Sequence, residues 1–132
     1  MKTVLALDDD PEILKCIKLA LESRGFQCTT KTDYNEFFEL IHAHPFDLVI
    51  LDVRMPQHSG FEVLKKLRHN RTTPVLFVTA YSGSFTLKSK NVLDLWKQEF
   101  AAGNTDILYK PFTLASLTEK VEALIGTAGG KK

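Results

Sequence analysis

Five polar residues in this chain stand where they could move and hold a phosphoryl group. Asp8 and Asp9 follow the apolar run Val4–Leu7, and Asp52 follows Leu48–Leu51. Thr79 follows Val75–Val78, and Lys110 follows Ile107–Tyr109. If these runs are parallel strands, all five residues gather at the carboxyl edge of one sheet, where open α/β sheets bind ligands. A carboxylate such as Asp52 can attack phosphorus and form an acyl phosphate. Nucleophile and phosphoryl group are both negative, so a divalent cation is needed to neutralise and align them. Asp8 and Asp9 supply its carboxylates. Mg²⁺ takes one or two carboxylates and completes its octahedron with water and phosphate oxygens, and Mn²⁺ is the alternative. Without a cation, carboxylates about 4 Å apart repel by about 4 kcal/mol per pair at an effective dielectric near 20. Lys110 offsets part of this charge and can hold a phosphoryl oxygen. The Thr79 hydroxyl can donate to another, beside the small Ala80.

The elements that must position these residues alternate along the chain. Residues 2–7 read as a strand. Asp10 caps a helix with Pro11 at its first position, and Ile13, Leu14, Ile17, Ala20 and Leu21 recur at helical spacing until Gly25 stops it. A short strand over 26–30 precedes a helix capped by Asp33 that carries Phe37, Phe38, Leu40 and Ile41. A nearly all-apolar strand over 47–51 suits a position covered on both faces. A helix over 60–69 carries Phe61, Val63, Leu64 and Leu67, and strands follow over 74–78 and 105–109. Between these, a helix carrying Trp96 ends near Gly103. The polar stretch before it is either a long loop or the start of a long helix capped by Ser84. Thr113 caps the last helix, with Leu114, Leu117, Val121 and Leu124 expected inward. Strand–helix alternation of this kind predicts a flavodoxin-like α/β sandwich with a parallel sheet of order 2-1-3-4-5.

Composition narrows the function classes. With 132 residues, 44% of them apolar and 25% charged, the chain suits one globular domain. A net charge of +1 gives no bias toward nucleic acid or anionic membrane. No apolar run reaches the roughly 18 residues of a membrane span, and no basic-then-apolar leader is expected, which predicts a cytoplasmic protein. Cys16 and Cys28, both expected in core elements, read as reduced small apolar residues rather than a disulfide. His42, His44, His58 and His69 lack metal-ligand spacing and read as surface residues.

The stretches Leu7-Asp8-Asp9-Asp10-Pro11, Asp52-Val53-Arg54-Met55-Pro56 with Gly60, Thr79-Ala80 and Lys110-Pro111-Phe112 resemble, in order, the receiver domain of two-component response regulators. The resemblance covers about residues 2–125, and it implies a bacterial, stand-alone, CheY-like receiver over 1–125 followed by a flexible tail over 126–132. It implies that Asp52 accepts phosphate from a histidine kinase or histidine phosphotransfer protein. Asp8, Asp9, Asp52 and the Arg54 backbone carbonyl would bind Mg²⁺, Thr79 would be the switch hydroxyl and Lys110 the family's ammonium. It also implies a cis Lys110–Pro111 bond. On this reading the chain is a signalling switch that catalyses its own phosphorylation and dephosphorylation, not an enzyme acting on outside substrates. With no output domain expected, its state passes to an unidentified partner protein or to a second copy in a homodimer, without direct contact to nucleic acid or insertion into a membrane.

Two departures bear on the switch. Thr79 and Lys110 stand 31 residues apart, longer than the family pattern. The excess falls in 81–100, as a solvated insertion or as a surface presenting Lys88 and Lys90. Ile107 stands where receivers often carry an aromatic ring, which excludes an aromatic-rotamer switch there and leaves one through Thr79 and the loop after it. A docking module or phosphate sink indifferent to phosphorylation is therefore the main alternative. An aspartate-nucleophile phosphatase is disfavoured, because Asp8 and Asp9 are adjacent and Asp10 reads as a cap. Arg54 and Tyr81, each two residues beyond a site residue, can overhang the acyl phosphate and hinder water. Replacing both with alanine should accelerate loss of phosphate from the phosphorylated protein, measured by intact mass over time. An unchanged rate would contradict the shielding.

Overall fold

The computed structural model describes residues 2–52, 60–69, 71–79, 98, 101 and 103–127. Its strands are β1 (Thr3–Leu7), β2 (Gln27–Lys31), β3 (Leu48–Leu51), β4 (Val75–Thr79) and β5 (Thr105–Tyr109). The helices among the described residues are α1 (Pro11–Glu22), α2 (Tyr34–Ala43), α3 (Gly60–Leu67) and α4 (Leu114–Ile125). The sheet order is β2-β1-β3-β4-β5 and every pairing is parallel, as the alternation predicts.

Side-chain alternation divides the core in two. Val4, Ala6, Leu48, Ile50, Leu76, Val78 and Leu108 pack with α1 and α4. Leu5, Leu7, Val49, Leu51, Val75 and Phe77 pack with α2 and α3, joined by the part-buried Ile107. The period of two points neighbouring side chains to opposite faces, and both faces are covered. The runs in β1, β3 and β4 must therefore be continuously apolar. Their polar successors fall where the helical cover ends, which places the acidic residues at the rim.

Three caps fix where helices meet that rim. Asp10 Oδ1 accepts the Glu12 N–H at 2.9 Å, with Pro11 in the first turn. Asp33 Oδ2 accepts the Glu36 N–H at 2.9 Å. Thr113 and Ser116 form a reciprocal capping box, at 3.0 and 3.1 Å. Each cap contributes about 1 kcal/mol. Asp10 and Thr113 also start α1 and α4 within a few residues of Asp8 and Lys110. At the far end of α1, Gly25 takes a φ of 92°, which only glycine adopts readily, and turns the chain into β2.

Some expectations shift. Cys28 is buried, but Cys16 is exposed and both are free thiols. Cys16 lies one residue from the inward Ile17, about 100° around the helix, so it leaves the packed stripe. Burial pushes the Cys28 thiol up to about 12 and keeps it protonated. Leu114 is 51% exposed, whereas Leu117 and Val121 are fully buried. Its turn begins α4 at the carboxyl ends of the strands, beyond the core. His42, His44 and His69 are exposed. Several strands are displaced by one residue from the expected bounds. Most of the helix expected before Gly103, with Trp96, Lys88 and Lys90, lies outside the described residues, as do His58 and the last five residues of the tail.

Gly60 opens α3 directly against the end of β3. A Cβ there would stand 2.5 Å from the Asp52 carbonyl oxygen and 2.9 Å from Phe77 Cε1. Neither neighbour yields cheaply, because Phe77 is fully buried and the Asp52 N–H is bonded to the Leu7 carbonyl at 3.2 Å. Gly60→Ala should lower stability by about 1–3 kcal/mol, the usual cost of overpacking, read from the urea midpoint. Wild-type stability in this variant would contradict the close approach.

Candidate functional site

The carboxyl edge of the sheet collects the residues that the sequence analysis singles out. Asp8 leaves β1 and Asp52 leaves β3, adjacent strands in which Leu7 pairs with Leu51. Their carboxylates are 2% and 6% exposed as whole residues, so both charges sit in a largely dehydrated rim. Asp9 is exposed, yet one carboxylate oxygen from each of Asp8, Asp9 and Asp52 lies within 4.8 Å of the others. Lys110, leaving β5, reaches across β4 to donate to Asp8 Oδ2 at 3.0 Å and to Asp52 Oδ2 at 3.4 Å. Its side chain is only 13% exposed. The Lys110–Pro111 bond is cis, as the resemblance implies.

Thr79 ends β4, paired with Tyr109 and so one residue from Lys110 in register. Its side chain lies outside the described atoms. Arg54, Ala80 and Tyr81 are also outside the described residues, so the backbone carbonyl expected at the metal has no described position.

The electrostatics are unbalanced. The Asp8 carboxyl is raised from 3.8 to about 7. Burial is the main cause; the Asp10 N–H, donating to Asp8 Oδ1 at 3.0 Å, opposes it; the Asp52 charge adds to it; and Lys110 opposes it. Burial also disfavours the Lys110 ammonium, but its hydrogen bond to Asp8 and the charges of Asp8 and Asp52 outweigh this and raise its pKa. One charged ammonium serves both buried carboxylates, donating to Asp8 and to Asp52. Among the described residues, three carboxylates and one ammonium leave a surplus of negative charge whose donors are all hard oxygens. That donor set fits a small divalent cation such as Mg²⁺.

The sequence profile of the response regulator receiver domain matches residues 4–122. The chain belongs to that family. It is 34% identical over 122 residues to the nisin biosynthesis regulatory protein NisR of Lactococcus lactis subsp. lactis, covering 92% of this chain and 49% of that one. It is 34% identical over 125 residues to the transcriptional regulatory protein KdpE of Mycobacterium tuberculosis, covering 95% and 51%. The chain thus spans about half the length of these curated relatives. Among solved structures, the chemotaxis response regulator CheY4 of Vibrio cholerae superposes with a TM-score of 0.76 at 28% identity, over 94% of this chain and 98% of that one. A response regulator receiver protein from Burkholderia phymatum gives 0.75 at 32% identity, over 97% and 98%.

The receiver's rim contains one feature that sequence reasoning missed. Gly60 was legible as part of a motif, but not as the residue that lets α3 close on the Asp52 carbonyl. The signal was a glycine at a helix start, where a better helix former would otherwise serve.

The raised Asp8 carboxyl predicts how the metal-free receiver responds to pH. Folding favours the protonated form, so this contribution is fully present below about 4, falls as pH rises and is lost above about 7. Asp8→Asn should therefore be more stable than wild type at pH 8, by on the order of 2–4 kcal/mol. The difference should shrink toward pH 4. Thermal unfolding in the presence of chelator checks this, and a variant less stable than wild type at pH 8 would contradict it.

Proposed function

We propose that this receiver is a phosphorylation-dependent switch, with Asp52 as phosphoacceptor. The observation that carries the reading is the Lys110 ammonium bridging the buried Asp8 and Asp52 carboxylates at 3.0 and 3.4 Å, with Asp9 in reach. The donor is a phosphohistidine of a histidine kinase or a histidine phosphotransfer protein. An Asp52 carboxylate oxygen bonds to phosphorus as the phosphorus–nitrogen bond breaks. The imidazole leaves with the electron pair and its nitrogen takes a proton from solvent. Asp8, Asp9, Asp52 and the Arg54 backbone carbonyl would hold Mg²⁺. When bound, Mg²⁺ supplies positive charge that offsets the negative charge on nucleophile and phosphoryl group.

The chain's own residues do the rest. Burial on β3 and the close approach of Gly60 hold the Asp52 backbone still. Lys110 exchanges its bond to the Asp52 carboxylate for one to a phosphoryl oxygen. Thr79 donates its hydroxyl to another. Phosphorylation adds about −1.5 to −2 charges to the rim, and Lys110 and Thr79 respond to that charge. Ile107 packs against the core on the α2/α3 face, which supports a switch that runs through Thr79 and the loop after it. The output partner is a protein or a second copy of the chain. The proposed receiver unit spans 1–125, with a flexible tail over 126–132. A cytoplasmic location is part of the same proposal; no helix among the described residues is long and apolar enough to cross a membrane.

Incubation with acetyl phosphate tests the reading by intact mass. We expect one added phosphoryl group that needs Mg²⁺ and is absent in Asp52→Asn. A phosphoryl group retained by Asp52→Asn, or gained without a divalent cation, would contradict the assignment.

A further inference from the structure

Beside the acidic rim, on the side of the edge strand β2, lies a cavity of opposite charge. It has a volume of about 290 Å³ and is lined by Pro11, Leu14, Lys15, Lys18, Thr30, Lys31, Thr32 and Glu36. That is close to the lower end of ligand-sized pockets, roughly 300 Å³.

The three ammonium groups differ in how they are engaged. Lys18 Nζ is held over the strand by the Cys28 carbonyl at 3.1 Å and reaches Glu22 at 3.6 Å. Lys31 pairs with Glu36 at 3.6 Å. Lys15 has no ion-pair partner among the described residues. Of the lining groups, three are cationic and one is anionic, in a chain whose net charge is only +1. The cavity therefore gathers three ammonium groups on one small surface, with Glu22 and Glu36 as their carboxylate partners. Two threonine hydroxyls add neutral donors, and Pro11 with Leu14 gives one wall an apolar surface.

We propose that this cavity binds a small phosphomonoester. Lys15 is the ammonium left over after the Lys18–Glu22 and Lys31–Glu36 pairs, and a phosphate dianion can draw on all three ammonium groups by displacing those exposed carboxylates. The lysines and threonines offer several donors to its three terminal oxygens, and the Pro11–Leu14 wall takes the organic group. Like-charge repulsion keeps the same ligand off the metal-free acidic rim, so the two sites select opposite ions. They are also neighbours through the backbone, since the Asp8 N–H donates to the Lys31 carbonyl at 3.3 Å. This site is independent of whether Asp52 is the phosphoacceptor.

Phenyl phosphate is the probe, titrated in chelator into the ¹⁵N-labelled chain and followed by amide shifts. We expect saturable shifts at Lys15, Thr30, Lys31 and Thr32, and much weaker binding of phenol. Lys15→Gln with Lys31→Gln should weaken binding by roughly tenfold at unchanged thermal stability, because each variant removes a charge-assisted donor. Lys65→Gln, on the exposed face of α3, should leave binding unchanged. Shifts that do not saturate, shifts confined to Asp8, Asp52 and Lys110, or equal binding of phenol would overturn the proposal. So would wild-type affinity in the double variant.

Discussion

The structure of this receiver turns on one ammonium between two buried carboxylates. Lys110 holds Asp8 and Asp52 together across the width of β4, at 3.0 and 3.4 Å. Taking three charged groups out of water costs several kcal/mol each, and such a cluster is at best neutral for stability. The fold tolerates it because β1, β3 and β4 are anchored by apolar side chains on both faces. The hydrophobic core thus offsets what the cluster costs.

Among the described residues, negative charge exceeds positive charge at this rim. Asp8 near 7 and a firmly protonated Lys110 describe a pocket short of positive charge. Either a proton or a cation can supply what is missing. A cation does so while leaving the Asp52 carboxylate free to attack, whereas a proton would disable a carboxylate. On the proposed reading, a phosphoryl group on Asp52 would add negative charge, and Lys110 and Thr79 would answer it. On that reading the Lys110 ion pair would serve as a detector of charge.

Much of this was legible in the residues. The sheet order followed from strand–helix alternation, because a period of two on doubly covered strands forces continuous apolar runs whose ends are easy to see. Asp8, Asp9, Asp52 and Lys110 converge because parallel strands bring their carboxyl ends to one edge. Other features were illegible for physical reasons. Cys16 was expected inside because cysteine resembles a small apolar residue, yet its angle on α1 turns it to solvent. Leu114 keeps the helical spacing of Leu117 and Val121, but spacing does not tell where the core ends beneath a helix. The closeness of Gly60 to the Asp52 carbonyl depends on how α3 docks. The basic cavity joins residues of α1, β2 and α2 that no linear motif links.

The central claim is that the carboxylate cluster is completed by a divalent cation. Titration calorimetry of Mg²⁺ into the chelator-treated chain, beside Asp8→Asn, tests it most directly. One ion per chain, with binding lost in the variant, is the predicted result. No binding to the folded wild type, or equal binding to Asp8→Asn, would contradict it.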